Sequence, residues 1–425
     1  MTVIFMNKLF FLSLIFFLIS GLFVTVFSSV STAAELVEDS WNSKASMQQA
    51  RGGLGVVALD GKIYAIGGKT VNGFVGTNEQ YDPKTDTWVT LEPMPTSRAY
   101  FAIAAYQGKI YCVGGLNTAG SCSVNEVYDT VTGSWSTKAS LPFKGEHLQG
   151  HVVDGKLFVI DGYSLFLYDS IEDSWTRKDS PKTLASNAIS SAVVDDEIVI
   201  IDSLGVMFYD FNSDTWRKGS KPSSELDSCL SGVTTGIYAP KKIYAMGIIT
   251  TKSEWWDAKQ LGQVKPVYVT SISSTVKVYD PVKDVWSNAK VYGNRIDFGI
   301  AVLDDILYVI GGCSIIVKDT MVNVDVEEID PVNPPFGTKI VSKQFSVPET
   351  VIGEPTALNV QYVPIGYQVT STGNVVSPSN QIDDSVWLGF SSIIVILVVL
   401  VLIVGVVIIG LFIYIRKRMY LKREK

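Results

Sequence analysis

The stretch of sequence that decides the fold is residues 81–88, which read YDPKTDTW. Its middle part, Asp82-Pro83-Lys84-Thr85-Asp86, has the composition of a turn. The segments on either side, 78–81 and 87–91, are predicted strands, and the second of them carries Trp88. The stretch therefore predicts an antiparallel hairpin.

This hairpin recurs along the chain, because three series of residues repeat at similar intervals. Tryptophans in register stand at Trp41, Trp88, Trp135, Trp175, Trp216 and Trp286, with spacings of 47, 47, 40, 41 and 70. Tyr-Asp pairs and one weaker Ile-Asp pair stand at Tyr81-Asp82, Tyr128-Asp129, Tyr168-Asp169, Tyr209-Asp210, Tyr279-Asp280 and Ile329-Asp330. Apolar strands end at Gly67-Gly68, Gly114-Gly115, Asp161-Gly162, Asp202-Ser203, Met246-Gly247 and Gly311-Gly312. Each series has six members, so the sequence predicts six units.

Each unit is predicted to contain four antiparallel strands. In the first unit these are residues 54–59, 62–67, 78–81 and 87–91, and a tight Asp60-Gly61 turn joins the first two. The inner strands are apolar at successive positions rather than at alternate ones, so both of their faces must be buried. Sheets stacked against sheets meet this requirement.

A strand that ends in Gly-Gly, followed by Tyr-Asp and then by Trp, resembles the kelch repeat. The resemblance extends from about Trp41 to Asp330, and it implies an all-β fold, a six-bladed kelch-type β-propeller over residues 35–330. Two later units depart from the pattern, with Asp161-Gly162 and Asp202-Ser203 in place of the glycine pair.

The two ends of the repeat array are incomplete in complementary ways. Trp41 has no Tyr-Asp pair before it, whereas Ile329-Asp330 is followed by a proline-rich segment and no tryptophan. We therefore expect the N-terminal strand around Trp41 to complete the last blade. Such a strand would close the ring and leave no open sheet edge.

Apolar segments near both ends predict export and anchoring in a membrane. Residues 1–34 have the composition of a signal peptide, with an uncleaved N-terminal anchor as the alternative. Residues 387–415 carry no charge and are long enough for a transmembrane helix. The basic tail, residues 416–425, is expected to stay in the cytoplasm. The predicted location is the cell membrane, with a single pass and an extracellular propeller.

Residues 331–386 would join the propeller to the membrane helix. They are rich in Pro, Ser, Thr, Val and Asn. We expect an extracellular stalk with room for one small β-hairpin, for which residues 360–369 supply a candidate strand. This order of parts resembles exported kelch proteins of archaea.

The charge balance argues against one class of partner. The chain has 35 basic and 42 acidic residues, and six of the basic ones lie in the C-terminal tail. The exported part thus lacks the basic clusters that bind phosphate backbones, and nucleic acid is not an expected partner.

The cysteines are too few and too scattered for a disulfide framework. They are Cys112, Cys122, Cys229 and Cys313. We expect buried thiols, with one oxidised pair as the alternative.

Three arginines are the first candidates for binding a ligand. Arg51, Arg98 and Arg295 each precede a first strand, which in a kelch propeller would place them around the mouth of the central channel. Guanidinium groups in that position can hold a carboxylate or an acidic peptide. The alternative is that they donate hydrogen bonds to neighbouring loop carbonyls.

Trp255 and Trp256 are the second candidates. They lie in the long insertion between Gly247 and Tyr279, in a loop expected on the same face of the propeller. Paired tryptophans outside the repeat can form a platform for a sugar ring or an anchor for a protein partner. Packing of this loop onto the ring is the alternative.

The sequence offers little chemistry for catalysis. Its two histidines, His147 and His151, are four residues apart on a predicted strand and have no third metal ligand nearby. The pairs Asp195-Asp196 and Asp304-Asp305 are explained as turn residues, with calcium binding as the alternative. No phosphate loop, nucleophile elbow or zinc spacing occurs, so we expect no catalytic residue, metal or cofactor.

These observations predict a membrane-anchored module that binds a protein or carbohydrate ligand outside the cell. One alternative is an extracellular enzyme of the galactose-oxidase-like or glycan-processing type with a degenerate site. Another is a structural component of the cell envelope. The fold by itself does not decide among them.

Overall fold

A computed structural model describes residues 37–161, 164–178, 190–202, 205–221, 228–254, 268–329 and 338–367. The regular elements in these ranges are all β-strands. No helix within them is long and apolar enough to cross a membrane. The predicted leader, membrane helix and cytoplasmic tail lie outside the described residues.

The strands are short in the first four blades and longer in the last two. In chain order they begin as β1 (Ser40–Lys44), β2 (Gly55–Leu59), β3 (Lys62–Ile66), β4 (Lys69–Thr70), β5 (Gly73–Phe74), β6 (Asn78–Asp82), β7 (Thr87–Leu91), β8 (Ala102–Tyr106), β9 (Lys109–Val113), β10 (Leu116–Asn117), β11 (Gly120–Ser121), β12 (Asn125–Asp129) and β13 (Ser134–Lys138). They continue as β14 (Gln149–Val153), β15 (Lys156–Ile160), β16 (Leu165–Asp169), β17 (Ser174–Lys178), β18 (Ser190–Val194), β19 (Glu197–Asp202), β20 (Gly205–Asp210) and β21 (Thr215–Gly219). They end as β22 (Ser228–Thr234), β23 (Ile243–Glu254), β24 (Tyr268–Asp280), β25 (Val285–Asn288), β26 (Arg295–Leu303), β27 (Ile306–Ile329), β28 (Thr338–Pro355) and β29 (Asn359–Val363).

Six antiparallel sheets form six blades. Blade 1 is β2-β3-β6-β7, blade 2 is β8-β9-β12-β13, blade 3 is β14 to β17, blade 4 is β18 to β21 and blade 5 is β22 to β25. Blade 6 is β26-β27-β29-β1, and β28 pairs with β27 beside this path. The prediction of a six-bladed all-β propeller is confirmed for the described residues.

The first strands of the blades surround a central channel. β2 contacts both β8 and β26, and the contacts continue through β14, β18 and β22. Each blade packs on its neighbours through buried side chains, as where Tyr81 of blade 1 lies against Tyr308 of blade 6, with ring centroids 6.0 Å apart. The inner strands are therefore buried on both faces, as their continuous apolar character predicts.

One aromatic contact occurs in all six blades. The tyrosine of the third strand packs on the tryptophan of the fourth, with centroid distances from 4.8 to 5.1 Å. The tryptophan also links its blade to the preceding one. The Trp88 indole N–H donates to the carbonyl of Ala45 at 2.7 Å, just after β1 of blade 6. The repeated tryptophan is thus both a packing residue and a hydrogen-bonded connection between blades.

The third strand of blade 6 differs from its prediction. The sequence places this strand at Ile329-Asp330, but β27 runs to Ile329 in a long hairpin with β28, and the third strand is β29. Tyr362 takes the tyrosine position, followed by valine instead of aspartate, which hides the motif in the sequence. Residues 359–363, assigned to the stalk from the sequence, therefore belong to the sixth sheet.

The fourth strand of blade 6 comes from the N-terminal side of the chain. β1 pairs antiparallel with β29, with Trp41 opposite Tyr362. The Trp41 indole N–H donates to Lys290 O at 2.8 Å. The Tyr362 hydroxyl donates to Asp39 Oδ1 at 2.8 Å.

Blades 5 and 6 are also joined by Asp305, which is buried. Turn formation accounts for the positive φ of Asp304 and Asp305, as the sequence predicts. It does not account for the hydrogen bonds of Asp305, which link the turn to the neighbouring blade. Its carboxylate accepts, at 2.6 to 3.0 Å, the backbone N–H groups of Gly236, Ile237, Tyr238 and Ala239.

Candidate ligand site at the channel mouth

Four residues at equivalent places in four blades surround one end of the channel, and we call this set the channel mouth. They are Gly53, Tyr100, His147 and Asp297, and all four line the same cavity. Each has a left-handed backbone, with φ of 64°, 56°, 55° and 57° respectively. Left-handed tyrosine and histidine are uncommon and costly, so the surrounding structure must hold them in place.

Backbone hydrogen bonds connect these residues from blade to blade. The Gly53 N–H donates to Asp297 O at 2.6 Å, and the Tyr100 N–H donates to Gly53 O at 2.8 Å. The N–H of Leu148, next to His147, donates to Tyr100 O at 3.4 Å. These backbone hydrogen bonds make the channel mouth a fixed part of the scaffold. Its side chains are therefore held in defined positions.

Three of the side chains at the mouth form one cluster. The Tyr100 hydroxyl donates to Asp297 Oδ2 at 3.0 Å, and the Tyr100 ring lies 4.4 Å from that of His147. Burial raises the pKa of Asp297, although the Tyr100 hydrogen bond and the charges of His147 and Lys69 act against this. Burial and the Asp297 carboxylate also raise the pKa of Tyr100. The cluster thus combines a carboxyl group, a phenol and an exposed imidazole.

Cys313 borders this cluster without offering a reactive thiolate. Burial and Asp297 raise the pKa of its thiol to about 11, so it is protonated at neutral pH. A Cβ at Gly52 would lie 2.7 Å from the Cys313 sulfur, so the segments that carry Gly52 and Cys313 are in close contact there. Cys112, Cys122 and Cys313 are free thiols, and the side chain of Cys229 lies outside the described residues.

Below the mouth, the channel is a cavity of about 670 Å³ with largely apolar walls. Its lining includes one residue from each first strand: Val57, Ala104, Val152, Val193, Val233 and Ile300. His151 also lines the cavity, and its Nε2 lies 2.6 Å from Ser191 Oγ. Burial lowers the pKa of His151 to about 4, so it is neutral at physiological pH. A polar entrance thus leads to an apolar interior.

The structure places the three predicted arginines inside the blades rather than at the mouth. Arg51 is fully buried, and it donates to Gly67 O at 2.6 Å and to Glu79 Oε2 at 2.6 Å. Arg98 is also fully buried and donates to Cys112 O and to the Glu126 carboxylate. Such groups cannot reach a ligand in the channel.

Arg295 is nearly as buried, and it donates to Gly311 O at 2.9 Å. All three arginines donate hydrogen bonds to neighbouring carbonyls, which is the alternative stated from the sequence. The signal for it was present in the sequence, because Arg51 and Arg98 each precede a glutamate by 28 residues.

The other candidates fall in different places. Trp255 and Trp256 lie outside the described residues, directly after the end of β23 at Glu254. His151 is in β14, but His147 precedes that strand, so the two do not lie on one strand as predicted. Asp195 is exposed and forms an ion pair with Lys241.

The sequence contains a signal for the channel mouth in the spacing of three residues rather than in a shared motif. Gly53, Tyr100 and His147 recur at intervals of 47 residues, the spacing of the first three tryptophans. Positions that keep the interval but change residue type are where a repeat scaffold carries variable side chains.

Comparisons with known proteins agree with this fold. A Kelch motif model matches residues 50–95 and 97–142, which cover blades 1 and 2. The solved structure of YjhT matches with a TM-score of 0.52 and 14% identity, over 70% of this chain and 99% of that one. At this identity the likeness concerns the fold alone. No curated protein sequence matches the chain significantly.

The six four-stranded blades around a channel define the class of protein as a β-propeller. The Kelch motif matches blades 1 and 2, and the Tyr–Trp pair is repeated in all six blades. Together they support a kelch-repeat propeller family for this chain.

Proposed function

We propose that this chain is a membrane-anchored binding module that captures a protein ligand at the channel mouth. The observation that carries this proposal is the cluster of Tyr100, His147 and Asp297, held in left-handed backbone conformations above an apolar cavity. Strained residues that face a cavity are characteristic of functional sites. Kelch propellers are, in addition, commonly interaction modules that lack enzymatic activity.

The chemistry of the mouth favours a side chain that is cationic at its end and apolar along its stem. Asp297 supplies an anionic acceptor, and the exposed ring of His147 lies beside it in the same cluster. The cavity walls below offer apolar contact. A lysine or arginine of a protein partner fits these properties. The acidic ligand expected from the arginines does not, since those side chains are buried.

Display outside the cell belongs to the same proposal. Its support is the uncharged segment 387–415, the basic tail that follows it and the signal-like segment 1–34. With this arrangement the propeller would face the exterior, where a protein ligand can reach the mouth. Tagging both ends of the chain and testing whether protease added to intact cells removes the propeller checks this orientation.

Closure of the ring by β1 is a further part of the proposal. Its support is the pairing of β1 with β29 and the contacts of Trp41 and Asp39 with blade 6 and its neighbour. A closed ring would keep the first strands, and so the channel mouth, in a fixed arrangement.

The binding proposal can be tested by placing a photo-cross-linking residue at His147 in the full chain. The matched control places it at Asp154, in the exposed turn at the opposite end of β14. We expect a protein to be captured from position 147 and not from 154. Asp297→Asn should weaken binding of that protein by about tenfold or more, because a charge-assisted contact is lost.

Other results would contradict parts of the proposal. Equal capture from both positions, or full binding by Asp297→Asn, would exclude the mouth as the protein site. Specific binding of purified chain to a glycan array, abolished by Tyr100→Ala, would replace the protein ligand with a carbohydrate. Self-association with no other ligand would indicate a structural component of the envelope.

One observation favours an enzyme as the second candidate. Asp297 is a half-buried carboxyl group with a raised pKa, next to the hydroxyl of Tyr100, and such groups can act as general acids. A panel of chromogenic glycosides tests this function. Turnover that is present in the wild type and lost in Asp297→Asn would support it.

A further inference from the structure

Arg51, Arg98 and Arg295 occupy the same structural position in blades 1, 2 and 6. Arg51 and Arg295 both donate through Nη1 to the carbonyl 16 residues later, Gly67 O and Gly311 O. Arg51 and Arg98 both donate through Nη2 to the carbonyl 14 residues later, Ala65 O and Cys112 O. The three guanidinium groups are therefore directly comparable.

Their anionic partners are not the same. Strand register places Glu79 opposite Ala65 and Glu126 opposite Cys112, and these carboxylates pair with the arginines of blades 1 and 2. In blade 6 the corresponding pair is Val309 with Val360. Val360 is an apolar, fully buried residue, so the third strand of blade 6 brings no carboxylate to Arg295.

Arg295 is thus a buried charge with few contacts. It is 5% exposed, and its Nε, like those of Arg51 and Arg98, has no hydrogen-bond partner among the described residues. In the described part of the chain no carboxylate lies within ion-pair distance of it. Burial lowers the pKa of Arg295 to about 10, although the neighbouring Tyr292 acts in the other direction. It therefore remains charged at neutral pH, and a buried charge without a counter-ion is strongly unfavourable.

A small cavity adjoins Arg295 at the interface of blades 5 and 6. Its volume is about 20 Å³, and its lining includes Arg295, Ser274, Tyr292 and Trp41. This is enough for a water molecule or a monoatomic ion and too little for an organic anion. Of the described residues that line it, Arg295 is the one with a charge, and most of the remaining lining is apolar.

We propose that Arg295 binds a small monovalent anion of the chloride type in this cavity, where the ion takes the electrostatic role of Glu79 and Glu126. The anion would bridge blades 5 and 6, because the cavity is lined by both. It would also lie beside Trp41 of β1, so its binding would stabilise the strand that completes blade 6. This site is independent of the channel mouth.

The test is the melting temperature of the full chain as chloride replaces gluconate at constant ionic strength. We expect the wild-type melting temperature to rise by about 3 °C at chloride concentrations roughly tenfold above the dissociation constant. Val360→Glu restores the carboxylate found in blades 1 and 2, and its melting temperature should not depend on chloride. A chloride-independent wild type, or a Val360→Glu protein as dependent as the wild type, would overturn the proposal.

A second variant decides the question if Val360→Glu does not fold. Glu79→Val gives blade 1 the arrangement of blade 6, and its melting temperature should depend on chloride more steeply than that of the wild type. An unchanged dependence would count against the proposal. Chloride-35 NMR gives a direct readout, because the wild type should broaden the chloride line and Arg295→Met should broaden it less. Equal broadening would place the anion elsewhere.

Discussion

Blades 1 and 6 both bring a tyrosine, an aspartate and a tryptophan together, but they do so by different means. In blade 1 the Tyr81 hydroxyl donates to Asp86 Oδ1 at 2.6 Å, five residues later in one hairpin. In blade 6 Tyr362 makes the same contact with Asp39, which is 323 residues away in the chain. The local turn of blade 1 is replaced by a meeting of two distant segments, so formation of blade 6 carries a larger loop-closure entropy.

The interiors of the two blades also differ in whether a contact is made within the blade. The buried charge of Arg51 is neutralised within its own sheet by Glu79, whereas Arg295 faces Val360. Blade 6 instead gains contacts across its boundaries, including the carboxylate of Asp305 on the backbone of blade 5. Both blades bond to their neighbours, but of the two it is blade 1 that neutralises its buried arginine within its own sheet.

Removing β1 should have the largest effect on the free energy of unfolding. Deleting residues 35–47 takes away the fourth strand of blade 6 together with Trp41 and the buried Met47. We expect a loss well above the roughly 3–5 kcal/mol of a single buried tryptophan, because a whole strand ladder goes with it. Chemical denaturation measures the change. Deleting residues 35–37, which precede the strand, is the control and should leave stability unchanged, and equal stability of both deletions would contradict closure by β1.

Asp305→Ala should have the next largest effect. The substitution leaves four backbone N–H groups of the blade 5 segment 236–239 without their acceptor. Unpaired buried donors cost about 1–3 kcal/mol each, and partial access to water reduces the sum, so we expect a loss of about 4 kcal/mol in the free energy of unfolding. Asp304→Asn, at the exposed neighbouring position, should change it by less than about 0.5 kcal/mol. Similar values for both variants would exclude the carboxylate as the connection.

The sequence predicts the regular blades well because their signals are local. In blade 1 the turn, the Tyr-Asp pair and Trp88 lie within one short stretch, and each is visible by residue type. The third strand of blade 6 escapes the same reasoning. Tyr362 has valine after it and its aspartate, Asp39, near the other end of the chain. A motif divided between distant segments has no local pattern to detect.

The candidate site was harder to predict than the fold. Their position before a first strand predicts Arg51 and Arg98 at the channel, but their burial beside a carboxylate depends on the register between the second and third strands of each blade. The mouth residues Tyr100 and Asp297 have no shared residue type. What they share is a left-handed backbone at an equivalent position, and the 47-residue interval that marks Tyr100 in the sequence does not extend to Asp297.

Glu79→Gln tests how much the ion pair inside blade 1 contributes to stability. It leaves Arg51 buried without its counter-ion, while one hydrogen bond to the amide oxygen can remain. We expect a loss of about 2–3 kcal/mol in the free energy of unfolding, below the usual cost of removing one partner of a buried pair. Arg295→Met in gluconate buffer is the matched change in blade 6, and it should cost less than about 1 kcal/mol because no ion pair is lost. A larger cost for Arg295→Met than for Glu79→Gln would reverse the comparison.

Asp39→Asn should have the smallest effect, and its size should depend on pH. Burial alone would raise the pKa of Asp39, but hydrogen bonds from Tyr362 and Lys290 bring it below the ordinary value of 3.8. A carboxylate with a lowered pKa adds stability that is complete above its unfolded value and is lost as the pH falls through the folded value. The wild type should therefore melt above Asp39→Asn at neutral pH, and the gap should close in acid below 3.8. Thermal melts across this range measure the gap. A gap that stays constant into acid would mean that the charge of Asp39 does not contribute to the junction between the chain's two distant segments.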